Sequence, residues 1–159
     1  MSLYADYVFP VVLDIATKPL KPQRKQTISL AKGRVLEIGI GTGANLPFYT
    51  SQAQEIIGIE PFMAMLKKAE LMVKTAPANA SVKLAVGDAH QLEFADSSFD
   101  CVIMCLVLCT IPDPLQALKE AYRVLKPNGQ LLFLEHVRAP STWVARCQDA
   151  INPVWKHLA

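Results

Sequence analysis

Val35-Leu36-Glu37-Ile38-Gly39-Ile40-Gly41-Thr42-Gly43-Ala44-Asn45-Leu46 is the stretch around which the chain is organised. Apolar residues with one acid among them read as a buried strand, which runs straight into glycines at alternate positions and then into a short helix. Gly39 suits a tight turn, while Gly41 and Gly43 let the main chain approach a ligand that a Cβ would push away. Glycines at this density offer little to packing, so the stretch predicts a backbone-lined ligand loop.

On the N-terminal side, Leu3, Tyr7, Val8, Val11, Val12 and Ile15 form a roughly helical stripe interrupted by Pro10, an expected cover over the loop. Tyr4 and Tyr7 are placed to line an acceptor site beneath it. Lys18-Pro19-Leu20-Lys21-Pro22 reads as a break, and residues 23–32 as a short helix closed by Gly33. After the loop, residues 45–51 predict another short helix and residues 55–60 a second strand ending in Glu60. Pro61 then suits the first position of a helix striped by Met65, Leu66, Ala69, Met72 and Val73.

A third strand is expected over residues 81–86, before Gly87-Asp88, and a long apolar one over residues 99–108. The helix after Pro112-Asp113-Pro114 carries Leu115, Leu118, Tyr122 and Leu125 at helical spacing. A turn at residues 126–129 leads to a fifth strand, 130–137, and a final helix begins near Ser141 with Trp143, Cys147, Ala150 and Ile151 on one face. Strand and helix alternate throughout, which predicts an α/β fold: a Rossmann-like, doubly wound parallel sheet. In such sheets ligands bind at the carboxyl ends of the strands near the switch point, so Glu60, Asp88 and His136 should converge. Residues 1–33 are the expected helical cover and 34–159 the binding unit of a single domain.

Composition narrows the partners. With 52% hydrophobic and 19% charged residues and a mean hydropathy of +0.24, the chain of 159 residues is apolar for its length. Its net charge of +2 comes from 16 basic and 14 acidic residues without a basic block, which argues against nucleic acid. The longest apolar run, residues 101–111, is too short to span a bilayer, and nothing at the N-terminus has the order of a signal peptide. A cytoplasmic location is expected. Cys101, Cys105 and Cys109 share one strand parity at ~13 Å spacing, too far apart to bridge or to hold one metal, so no metal site is expected and the thiols should be buried.

The pattern from Gly39 to Ala44 satisfies G-x-G-x-x-[GA], with an acid, Glu60, roughly 20 residues on. Dinucleotides and S-adenosylmethionine both present a ribose to such an acid. Glu37 separates them, because its charge would oppose a pyrophosphate and suits a sulfonium or an ammonium. Asp88 is placed to accept from an adenine amino group. A dinucleotide-dependent oxidoreductase and a cofactor-binding fold without activity remain the alternatives.

Glu37-Ile38-Gly39-Ile40-Gly41-Thr42-Gly43, Gly58-Ile59-Glu60-Pro61, Gly87-Asp88-Ala89, Ser98-Phe99-Asp100 and residues 123–129 occur in the order seen in class I S-adenosylmethionine-dependent methyltransferases. The chain resembles their methyltransferase type 11 branch, including the ubiquinone and menaquinone biosynthesis enzymes. Gly43-Ala44-Asn45 with Phe48-Tyr49, Leu106-Val107-Leu108-Cys109, Glu135-His136-Val137 and Ser141-Thr142-Trp143 are similar to the animal thiol methyltransferases. The resemblance implies S-adenosylmethionine as cofactor, contacted by Glu37, Gly39, Gly41, Gly43, Asn45, Glu60, Pro61, Asp88, Ala89 and Leu106. It also implies a small-molecule or lipid acceptor: a thiol, a quinol precursor or a phospholipid amine.

The methyl donor is already activated, so alignment can supply most of the acceleration. Where a base is needed, His136 is the expected catalytic residue; His90 is expected to shape the loop after Asp88, and His157 to lie at the surface. The family's sheet has sixth and seventh strands for which no sequence follows here. Peripheral membrane contact, or a homodimer through the fifth-strand edge and the terminal helix, are the expected ways to cover the apolar surface.

Overall fold

The strand that opens the glycine loop lies at the centre of the sheet. The computed structural model describes residues 15, 17–77, 79–135, 142 and 146. In chain order they form α1 (Lys21–Ile28), β1 (Gly33–Ile38), β2 (Ala53–Ile59), α2 (Met63–Met72), β3 (Ser81–Ala85), β4 (Phe99–Cys105), α3 (Pro114–Val124) and β5 (Leu125–Leu134). The five strands are all parallel, in the order β3-β2-β1-β4-β5. The chain therefore starts in the middle, winds to one edge and crosses back, leaving its switch point between β1 and β4.

Both faces of the sheet are covered, as the continuous apolar strands require. Alternation along β1 sends Val35 to a core with Ile28 of α1 and Leu66 of α2. Leu36 and Ile38 go to the opposite core, with Phe99, Val102 and Met104 beneath α3. Glu37 shares the parity of Val35 and is carried into the first core. Arg123 at the end of α3 ties down the loop after β3, donating to the carbonyls of Leu92 (2.9 Å) and Phe94 (2.8 Å) and to Asp96 (2.7 Å).

Several expectations are corrected. Lys18–Leu20 is a turn of 3₁₀ helix that leads into α1, because Pro19 and Pro22 both fall in first turns, where no N–H is required. The helix expected after the glycine loop is only a 3₁₀ turn, Leu46–Phe48. Pro61 precedes α2, whose N-cap is Phe62. β4 ends at Cys105 because Leu106 turns into the left-handed region with φ +56°. Cys101 and Cys105 are thus buried, while Cys109 lies beyond the strand and is exposed.

β5 begins at Leu125, and residues 126–129 bulge out between its pairings of Leu125 with Phe99 and Gln130 with Cys101. On α3 the buried face is Ala117, Ala121 and Val124, whereas Leu115 is 69% and Tyr122 82% exposed. Small residues let the helix lie close on the sheet; Leu118 packs at the margin of the core, and Leu115 and Tyr122 are left outside. Ile15 is exposed as well. The rest of the expected N-terminal stripe, His136, the terminal helix with Trp143 and Cys147, and His157 lie outside the described residues. No described helix is long and apolar enough to cross a membrane.

Candidate cofactor site

The glycine loop folds back over the ends of β1 and β2, with Gly39 and Ile40 N–H groups both donating to the Ile59 carbonyl (2.9 and 3.1 Å). Its glycines answer to different needs. A Cβ on Gly39 would run into Val107 Cγ2, and one on Gly43 would come within 3.1 Å of the Ala69 backbone. Those two have a packing reason that their spacing alone did not reveal. Gly41, at φ +57°, would meet nothing nearer than Met65 Sδ at 4.0 Å. It is the open point of the loop, where a ligand can lie against bare main chain.

Beneath the loop runs a buried polar chain. Asn45 Nδ2 donates to Glu37 Oε1 (2.6 Å) and the Tyr49 hydroxyl to Glu37 Oε2 (2.7 Å). Arg24 Nη1 donates to Asn45 Oδ1 (3.1 Å), bringing α1 into the same network. Glu37 is only 1% exposed. Burial is the main cause that lifts its carboxyl from the ordinary 4.5 to about 7, against the opposing pull of Tyr49, Asn45 and Arg24. Burial and the neighbouring carboxylate also push the Tyr49 phenol upward.

At the strand ends a cavity of about 150 Å³ is lined by Gly39, Glu60, Pro61, Asp88, Ala89 and His90 on one side and by Val107 and residues 110–112 on the other. Glu60 is buried. Its Oε2 accepts from Gly41 N–H (3.1 Å) and its Oε1 from Phe62 N–H (3.3 Å). Burial raises its pKa while these two donors oppose the rise. Asp88 Oδ1 accepts from the His90 N–H (2.8 Å) and ring Nδ1 (2.6 Å), which hold its carboxyl below the ordinary range. The fixed acceptors Glu60 and Asp88, an open backbone at Gly41 and apolar walls fit the ribose and adenine of an adenosyl cofactor.

Five of the expected residues, Gly39, Glu60, Pro61, Asp88 and Ala89, therefore share one cavity. Glu37 and Asn45 form the polar pair beneath the loop, Gly43 packs the loop closely on α2, and Leu106 packs against the first core. A second cavity of about 540 Å³ opens between α1 and α2, where the short β1–β2 crossover leaves room, and carries Lys18, Lys21, Arg24 and Lys68 beside Phe48 and Leu71. Sequence reasoning missed Tyr49 as a partner of Glu37 and Arg24 as the partner of Asn45. It also missed Glu135, whose Oε1 accepts from Val107 and Leu108 N–H (both 2.9 Å) and pins the loop after β4. A polar side chain within an apolar run, as at Tyr49, was the available signal.

Comparison with known proteins identifies the family. Its model, described as a methyltransferase domain, matches residues 36–133. The chain is 32% identical to the thiol S-methyltransferase TMT1B of Homo sapiens over 167 residues, covering 98% of this chain and 67% of that protein. It is 35% identical to the demethylmenaquinone methyltransferase of Lactiplantibacillus plantarum, over 84% of this chain and 56% of that one. A solved SAM-dependent methyltransferase of Methanosarcina mazei superposes with a TM-score of 0.59 at 29% identity, covering 72% of this chain and 57% of that chain. The chain thus spans between about half and two thirds of the length of these proteins. The glycine pattern that also fitted a dinucleotide is accounted for by this family, and an oxidoreductase reading is set aside. The chain belongs to the S-adenosylmethionine-dependent methyltransferases.

Proposed function

We propose that the chain transfers a methyl group from S-adenosylmethionine to a small-molecule or lipid acceptor, and that the acceptor is a thiol. The observation that carries the choice is the state of His90. Both its ring nitrogens are engaged, so among the described residues lining the small cavity no imidazole is left to take a proton. A thiolate needs no general base, whereas a phenol or an ammonium must first lose a proton. Similarity to a thiol S-methyltransferase over 98% of the chain supports the same reading.

The bound cofactor supplies a methyl group already activated on a sulfonium; the chain's part is binding and alignment. Glu60 accepts the ribose hydroxyls and Asp88 the adenine amino group, between Pro61 and Ala89. Gly39, Gly41 and Gly43 let the loop close over the ligand, and Leu106 backs its apolar side. Glu37, oriented by Asn45, sets a negative charge beneath the cationic end. Were the acceptor a phenol or an ammonium instead of a thiol, His136 would be the base proposed for it.

Methyl transfer from labelled donor to a panel of thiols, quinol precursors and phosphatidylethanolamine tests this. Label should enter the thiols, with a rate that follows the ionisation of the thiol itself, and turnover on thiols above their own pKa should survive His136→Ala. Label confined to the quinol or the amine would overturn the thiol assignment, and label nowhere would favour a cofactor-binding unit without activity.

We also propose that two copies associate along β5. Among the described residues its outer edge has no strand partner, and Phe133 stands 63% exposed. Light scattering should find a dimer that Phe133→Lys weakens; a monodisperse monomer at high concentration would sink the idea.

A further inference from the structure

His90 joins the two walls of the small cavity. The backbone N–H of Asp113 can only donate, and it donates to His90 Nε2 (3.2 Å). Nε2 is therefore the acceptor nitrogen and the ring proton sits on Nδ1, where it is given to Asp88 Oδ1 at 2.6 Å. The His90 backbone adds a second bond to the same oxygen (2.8 Å), and the Gln116 amide donates to the His90 carbonyl (3.2 Å). Asp113 is itself fixed as the N-cap of α3, accepting from Gln116 N–H (3.0 Å). Asp88 is thus tied through one imidazole to the start of a helix on the far side of the sheet's switch point.

The two Asp88 oxygens differ as a result. Oδ1 is held twice, while Oδ2 has no hydrogen-bond partner among the described residues. The Asp88 side chain is 65% exposed, so these two bonds to Oδ1 are the contacts that orient its carboxylate. Without the imidazole, the carboxylate keeps only the bond from the His90 backbone N–H and can pivot about it.

We propose that His90 is the positioning residue that makes the cavity selective for adenine. By anchoring Oδ1 it presents Oδ2 as a fixed acceptor for an exocyclic amino group. The inference rests on the adenosyl-cofactor reading, deepens it, and is separable from it by experiment. A 6-oxo base offers that acceptor a lone pair in place of an N–H, so an aimed carboxylate rejects it and a swinging one does not.

Titration calorimetry of the full chain with S-adenosylhomocysteine and with S-inosylhomocysteine gives the test. The wild type should prefer the adenosyl ligand by roughly 10- to 100-fold, the range of a hydrogen bond to a charged group. His90→Ala should bring that preference within about 3-fold, the level expected once the aimed bond is lost. His90→Asn keeps an amide N–H near the Nδ1 position and should retain most of the preference. His90→Gln reaches the Nε2 position but abandons Asp88, and should lose it. A merely structural role would weaken both ligands together and leave their ratio unchanged.

A wild-type ratio in His90→Ala, or equal loss in the Asn and Gln variants with folding verified by circular dichroism, overturns the proposal. So does a wild type that binds both ligands equally. A wild type that binds neither overturns the cofactor reading itself.

Discussion

Glu37 is held by the fold in a place that favours its protonated form. Its carboxyl titrates at about 7 in the folded chain against an ordinary 4.5. Between those two values the folded state keeps a proton that the unfolded state has released, so stability falls as pH rises from 4.5 to 7 and is level above. The loss is on the order of 3 kcal/mol. Glu37→Gln keeps acceptor and donor groups for Asn45 and Tyr49 without titrating. Urea unfolding at pH 5, 6, 7 and 8 should therefore show the variant gaining on the wild type through pH 7 and no further. A gap that does not change with pH would remove the assignment.

A cationic ligand above the loop draws Glu37 towards its ionised form. S-adenosylmethionine should accordingly gain affinity over its uncharged-sulfur product between pH 6 and 8, a gain absent from Glu37→Gln. Glu37, Glu60 and Asp88 were legible in the sequence because an acid at the end of an apolar strand has few other uses. Arg24 and Tyr49 were not: they reach the network from 21 residues before Asn45 and 12 after Glu37, through a crossing that only the folded sheet creates.

Among the elements, α3 shows where pattern reading stops. The helix itself was legible from its spacing and from Asp113-Pro114 at its start, but of its spaced residues Leu118 and Leu125 pack on the core while Leu115 and Tyr122 face out. Contact with the sheet selects for fit, so Ala117 and Ala121 lie fully buried over Phe99, Val102 and Met104. Ala121→Leu should lose about 1–3 kcal/mol by overpacking. Leu115→Ala and Tyr122→Ala should each stay within about 0.5 kcal/mol of the wild type, since both side chains face solvent. Denaturant titration of the three variants checks this, and the opposite order would mean that α3 is rotated. The β1–β2 crossover carries the same lesson, since its spacing did not disclose that room exists for only one 3₁₀ turn.

For the molecule as a whole, the order β3-β2-β1-β4-β5 brings the ends of two strands, β1 and β2, and the loops after β3 and β4 onto one cavity. The alternation of strand and helix made this arrangement legible, because the handedness of parallel crossovers leaves few other windings. The walls of the cavity come from separate crossovers, so a ligand that touches all of them stabilises only the fully assembled sheet. S-adenosylhomocysteine at about 100 times its dissociation constant should add ~2.7 kcal/mol, raising the melting temperature of a chain of this size by roughly 5–10 °C. NAD should give no shift. Glu60→Ala and Asp88→Ala remove acceptors on two different walls, and each should shrink the shift at fixed ligand concentration while lowering the unliganded melting point by less. Because Glu60 is buried and also holds Gly41 and Phe62, its variant should lose more of both quantities than the exposed Asp88 does. An undiminished shift in both variants would place the ligand elsewhere on the molecule, and scanning fluorimetry across the four combinations of variant and ligand is sufficient to decide.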